Sequence, residues 1–260
     1  MTDTIWRVER GEGPLVATAI HDGHAAREEV AALFALGEDG RLREEDPFTG
    51  AWTAVAPTRV VGLRTRFEVD LNRPRDKAVY RVPADAWGLD VWNRPPGDDL
   101  VACSLAEYDA FYDSMRGLLG EIERSHGRFV VYDLHTYNHR RDGPDGPEAD
   151  PEANPQVNIG TGTMDRARWA PLVDRFIDDL RAFDFPGGRL DVRENVKFQG
   201  GNWSRWIHET FPGSGVSIAI EFKKFFMDEW TGRPDPVLVE AIGGALQSTV
   251  EGALEELVRL

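Results

Sequence analysis

Phe129-Val130-Val131-Tyr132-Asp133-Leu134-His135 is a short, almost unbroken apolar run that ends in a histidine. It is too short for a buried helix, rich in β-branched and aromatic residues, and preceded by Gly127, a helix-stop signal. The run therefore predicts a strand buried on both faces, as in a parallel sheet covered by helices. Upstream, Leu105, Tyr108, Phe111, Tyr112, Met115, Leu118, Leu119 and Ile122 follow helical spacing and predict a long amphipathic helix. Ser104 is its expected N-cap, with Glu107 completing a capping box. Further upstream, Leu15–Ile20 repeats the pattern of Phe129–His135: an apolar strand with His21 at its end. Between them the sequence predicts a helix over Arg27–Leu36, a strand over Phe67–Leu71 and a loop over Asp90–Asp99 with Pro95-Pro96-Gly97. Downstream it predicts a Pro- and Gly-rich surface loop over Arg140–Asn154, a helix over Trp169–Phe183, a strand over Val216–Phe222 and a closing helix over Asp235–Leu260.

Strands alternating with helices indicate an α/β fold with a mixed, mostly parallel central sheet and helices on both faces. The 260 residues, 41% hydrophobic, are expected to form a single domain over 1–260 whose core needs no disulfide or structural metal. The net charge of −15 argues against nucleic acid as a partner. No run reaches the roughly 18 apolar residues of a membrane span. The start, MTDTIWRVERGEG, is charged and does not read as a signal peptide. The lone Cys103 cannot form an internal disulfide and reads as a small buried hydrophobe. The expected location is cytoplasmic.

Polar groups at the carboxyl ends of buried strands are where α/β proteins build sites. Three stand out: His21, His135, and Glu221 inside Ser217-Ile218-Ala219-Ile220-Glu221-Phe222. A carboxylate in a buried strand is costly without a partner. A metal or bound water would explain Glu221; so would an ion pair with Lys223 or Arg205. Two histidines suit zinc, and a catalytic zinc takes a third protein ligand and leaves a position open. Local chemistry leaves His24, Glu45 and Asp46 as candidates for that ligand. Arg64 and Arg66 would project together from a strand, forming a carboxylate- or oxyanion-binding patch or pairing with surface acids. Gly200-Gly201 lets backbone approach a ligand closely, or makes an ordinary turn.

Taken in order, these segments resemble the N-formylglutamate amidohydrolase family. Ile20-His21-Asp22-Gly23 is similar to the family's Pro-His-Ser/Ala-Gly, and Asp46-Pro47 to its downstream Asp. Arg66 to Pro74, containing Asp70-Leu71-Asn72-Arg73, matches its Asp-Leu-Asn-Arg-Pro signature. Tyr132-Asp133-Leu134-His135-Thr136 resembles its Asp-x-His-Ser, Asn158-Ile159-Gly160-Thr161 its Asn/Asp-Leu-Gly-Thr, and Phe198-Gln199-Gly200-Gly201 with Arg205 its Phe-Lys-Gly-Gly and following Arg. Ile220-Glu221-Phe222 and Phe226-Met227-Asp228-Glu229 resemble its Leu-Glu-Leu and Tyr-Met-Glu. The chain departs at Ile20, His24 and Thr136, and in the Arg140–Asn154 loop.

The resemblance implies a zinc carboxypeptidase-like (phosphorylase/hydrolase-like) fold and Zn2+ held by His21, Asp46 and His135. It implies Glu221 as general base, Arg66 as oxyanion stabiliser or anchor, and Asn72, Arg73 and Arg205 on a carboxylate-bearing small-molecule substrate. The activity it implies is hydrolysis of the amide of a small N-acylated amino acid such as N-formylglutamate. A carboxypeptidase-like or amidase activity on peptide or cell-wall fragments would use the same site. A metal-free anion-binding module would keep only the fold.

Overall fold

The computed structural model describes residues 4–260, so the first three residues of the charged N-terminal stretch lie outside the described residues. Seven strands form one sheet of order β1-β3-β2-β4-β7-β5-β6: β1 (Trp6–Glu9), β2 (Leu15–Ala19), β3 (Thr58–Gly62), β4 (Phe129–Tyr137), β5 (Val157–Gly160), β6 (Val192–Glu194) and β7 (Gly215–Lys223), with the short helices α1 (Glu28–Ala31), α2 (Glu38–Glu44) and α3 (Thr49–Trp52) between β2 and β3. Strands β3, β2, β4 and β7 run parallel. β1 is antiparallel at one edge, and β5, parallel to β6, is antiparallel to β7. This is the mixed, mostly parallel sheet that the sequence predicts.

All nine residues of β4 are buried, as a strand covered on both faces requires. Their side chains alternate. Val130, Tyr132 and Leu134 join a core under α5 (Ala170–Ala182), α7 (Pro236–Ser248) and α8 (Val250–Arg259). Phe129 and Val131 join a second core under α4 (Asp98–His126) and α6 (Asn202–Thr210). The same parity puts Asp133 and His135 on the α4/α6 face. On β7, Val216, Ile218, Ile220 and Phe222 face the first core, so Ser217 and Glu221 face the same side as His135. One face of the sheet thus turns from apolar to polar toward the carboxyl ends of its central strands.

Several expectations need correction. Phe67–Leu71 is a chain of turns, because the amides of Glu68 and Val69 bond back to the Thr65 carbonyl and that of Asp70 bonds to Ala78. Arg64 and Arg66 consequently point apart: Arg64 pairs with Glu107 at 2.9 Å and Arg66 with Asp70 at 2.9 Å. The helix over Arg27–Leu36 shrinks to Glu28–Ala31. The long helix starts at Asp98, capped by Gly97 and opened by two acids that suit its N-terminal dipole. Ser104 therefore lies inside the helix, where its hydroxyl accepts from Arg27 at 2.6 Å. Cys103 on the same helix is exposed, not buried. The closing helix breaks at Thr249, whose hydroxyl bonds to the Leu246 carbonyl at 2.7 Å and pairs with Tyr132. Among the described residues no helix is long and apolar enough to cross a membrane.

The α4/α6 core is anchored by Phe111, which is fully buried against Trp6, Tyr112 and Trp203. Truncation removes the ring and leaves a cavity, a loss of about 3–5 kcal/mol. Phe111→Ala should lower the denaturation midpoint by that amount while the far-ultraviolet dichroism stays native. A loss below about 1 kcal/mol would show that α4 is held elsewhere.

Candidate active site

The carboxyl ends of β2, β4 and β7 lie side by side, so residues distant in sequence meet there. His21 follows β2 by two residues. His135 and Glu221 are direct partners across the β4–β7 ladder, and Glu221 is paired on its other side with Asn158 of β5. Asp46 comes from a loop tied to the end of β2 by its amide, which donates to the His21 carbonyl at 2.9 Å. A buried Lys224 secures the same loop by donating to the carbonyls of Arg43 and Glu45 at 2.5 and 2.7 Å. Burial lowers the pKa of that ammonium to about 8.

His21, Asp46 and His135 each direct one ligand atom to a common point, all within 4.8 Å of one another. His135 Nδ1 lies 3.0 Å, and His21 Nδ1 3.3 Å, from Asp46 Oδ2. Nδ1 of His21 is buried without a hydrogen-bond partner. The opposite ring nitrogens are engaged: His21 Nε2 donates to Asp70 Oδ1 at 2.8 Å and His135 Nε2 to Asp133 Oδ1 at 3.0 Å. Carboxylates behind the imidazoles fix the rings so that both Nδ1 atoms converge on one point, the arrangement in which histidines ligate metals. An orphaned buried nitrogen, two histidines and a carboxylate around one point fit a divalent cation with nitrogen and oxygen ligands. His24 and Glu45 are not in this group; they pair with each other at 2.5 Å, and Glu45 also accepts from Thr65.

The charges around this point are extreme for a protein interior. Burial raises Asp46, but hydrogen bonds from His135 and His21 overcome it and hold its carboxyl well below the usual range. Burial opposes a charge on His135, yet Asp133 and Asp46 hold its pKa well above that of free imidazole. Asp70 is the hub of the Asp70-Leu71-Asn72-Arg73 segment: despite complete burial, Arg66 and His21 keep it ionised, and it also accepts from the Asn72 amide at 2.8 Å and from the Tyr80 hydroxyl. Glu221 goes the other way. Burial pushes its carboxyl up to about 7, with His135 opposing and Asp46 and Asp133 reinforcing. A carboxyl poised near neutrality is suited to carrying a proton.

All of this opens into a cavity of about 350 Å³, the size of a small-molecule site. His21, Asp46, Arg66, Asn72, His135 and Glu221 line it. The other two expected substrate contacts do not. Arg73 turns to the Asp85 carbonyl at 2.9 Å and packs over Tyr80, while Arg205 is exposed on α6. Residues without a sequence expectation line the cavity instead: Glu44, Trp87, Asn138, Arg141, Lys197 and Lys224. Trp87 is 52% exposed, adopts a left-handed φ of 54° and lies over the Arg66 guanidinium at 4.9 Å. None of these residues carried a signal in the sequence; Asp133, which lies behind His135 rather than on the cavity, did, standing two residues before His135 and so on the same face of its strand.

The N-formylglutamate amidohydrolase family model matches residues 13–227. Among solved structures, an N-formylglutamate amidohydrolase from Ralstonia eutropha is 16% identical with a TM-score of 0.75, over 98% of this chain and 99% of that one. A gene product of Agrobacterium tumefaciens is 17% identical with a TM-score of 0.69, over 97% and 96%. A metallo-carboxypeptidase from Pseudomonas aeruginosa is 16% identical with a TM-score of 0.39, over 94% and 57%. No curated protein matches.

Gly201 precedes α6 at the cavity wall, and a Cβ there would lie 2.2 Å from Asn72 Oδ1, the atom that accepts the Trp203 amide at 2.9 Å. Gly201→Ala should force Asn72 aside and cost about 1–3 kcal/mol by overpacking, read from a denaturant midpoint. A change below about 0.5 kcal/mol would show that the segment yields.

Proposed function

The chain belongs to the N-formylglutamate amidohydrolase family, and on that premise we propose that it is a zinc-dependent hydrolase of the amide bond of a small N-acylated amino acid such as N-formylglutamate. The observation that carries the reading is the meeting of Glu221 with the His21–Asp46–His135 group in one small cavity, Glu221 standing one ladder partner from His135. Zinc held by these three residues would lower the pKa of a water toward about 7 and polarise the amide carbonyl.

The protein's own groups do the rest. Glu221 takes the water's proton on its carboxylate and delivers it to the leaving nitrogen. Arg66, fixed by Asp70 and covered by Trp87, holds a guanidinium where negative charge develops on the carbonyl oxygen. Asn72, locked between Asp70 and the Trp203 amide, orients the substrate. Asp70 and Asp133 touch no substrate; they keep both imidazoles turned toward the common point.

Purified protein should contain about one zinc per chain by elemental analysis, and His21→Ala and His135→Ala should each lose it. Full metal in both variants would refute the ligand set. Glu221→Gln preserves shape but removes the proton acceptor. Metal content should stay near wild type while hydrolysis falls by roughly 10²–10⁴-fold. Full activity in that variant would remove Glu221 from the chemistry; loss of both metal and activity would make it a ligand.

A further inference from the structure

The groups given roles above do not account for the whole lining of the cavity. Asn138 directly follows β4, Arg141 lies three residues further on, and Lys197 follows β6, and all three line it. The Lys197 ammonium donates to Asn154 Oδ1 at 2.5 Å, and among the described residues no carboxylate stands within ion-pairing reach of it. Arg141 reaches Glu44 through one nitrogen only, at 3.3 and 3.4 Å, while Arg43 holds the same carboxylate at 2.6 Å. Asn138 is 3% exposed, and its side-chain oxygen is buried with no hydrogen-bond partner. Cations and an amide left in this condition on a cavity wall have capacity reserved for something that enters.

We propose that Arg141 and Lys197 form a subsite for a second carboxylate on the substrate, the one borne by the amino-acid side chain. The inference rests on the hydrolytic reading of the same cavity and deepens it by assigning the residues that select an acidic substrate. Lys197 and Arg141 flank the carboxylate, and the Asn138 oxygen, an acceptor, takes an N–H of the substrate beside it. The position is rigidly referred to the reacting centre. Asn158, the ladder partner of Glu221, accepts the Lys197 amide at 2.8 Å and donates to the Phe198 carbonyl at 2.9 Å. The Asn158 side chain thus ties the backbone that carries Lys197 to the strand position paired with Glu221. The Lys197 pKa is lowered by burial and by Arg141, so the two cations repel each other until an anion lies between them.

The test compares N-formylglutamate with N-formylglutamine, equal in shape but neutral at the side chain. Wild type should prefer the acid by at least about tenfold in kcat/KM, and in Lys197→Met, Arg141→Met and the double variant that ratio should collapse toward one, the usual scale for losing a charge-assisted pair. Lys197→Arg should restore it, and Arg205→Ala should leave it intact. Glutarate binding, read by calorimetry, needs no turnover; the double variant should bind it at least about tenfold more weakly. A preference that survives both methionine substitutions, or a wild type indifferent to the charge, overturns the subsite while leaving the hydrolase reading standing. Loss of glutarate binding in a protein that hydrolyses neither substrate supports the subsite and removes the hydrolase reading.

Discussion

Everything at the carboxyl end of this sheet follows from the cost of burying carboxylates. Asp46, Asp70 and Asp133 are each 2% exposed or less, and Glu221 stands beside them. Removing such groups from water costs several kcal/mol each unless hydrogen bonds and opposite charges replace the lost solvation. Asp70 meets the requirement with Arg66, His21, Tyr80 and a backbone amide. Asp133 meets it with Thr18, Ser204 and His135 at 3.0–3.2 Å. Asp46 has Thr136 on one oxygen and both histidines crowding the other. That crowding makes a point whose ligand atoms fit a cation, because the carboxylates behind the rings already hold the nitrogens on the far sides.

The same demand shapes the surrounding chain. The turns over Thr65–Arg73 gather Arg66 and the Asn72 amide on the Asp70 carboxylate at 2.9 and 2.8 Å, and leave the Arg66 and Asn72 side chains on the cavity lining. Gly201 is needed because Asn72 fills the space of its missing side chain. Trp203 packs in the α4/α6 core and donates its indole N–H to Thr18, the residue that in turn donates to Asp133. The apolar core and the polar cluster therefore share members, and Trp203 of α6 is joined to the His135 ring through three hydrogen bonds.

This coupling explains what the sequence revealed and what it concealed. β2, β4 and β7 were legible because strands covered on both faces need continuous apolar runs, and a histidine or glutamate at their ends is then conspicuous. Phe67–Leu71 misled because Phe67, Val69 and Leu71 alternate as in a strand, yet Phe67 belongs to a small separate core while Val69 and Leu71 join the α4/α6 core. Asp46 sits on a loop, where local pattern gave no reason to prefer it to Glu45 or His24; the family resemblance singled it out. The cavity residues Arg141 and Lys197 were hidden for another reason. In a chain of net charge −15, one lysine or arginine carries no sign of being unpaired, and that property exists only after folding has placed every acid.

The departures from the family pattern can be weighed by the same physics. Thr136 stands where the family has Ser and still gives Asp46 Oδ1 a hydroxyl at 3.0 Å, so the donor survives the exchange. His24, the possible competitor for a ligand position, is neutralised by Glu45, which engages it at 2.5 Å and thereby keeps it off the convergence point. The Arg140–Asn154 loop is different in kind, because it supplies Arg141 to the cavity and Asn154 to Lys197. Divergence there leaves the buried carboxylates and their partners untouched and alters only the lining of the cavity. Groups whose burial must be compensated are bound to one another by that cost, whereas exposed groups on the cavity lining carry no such cost.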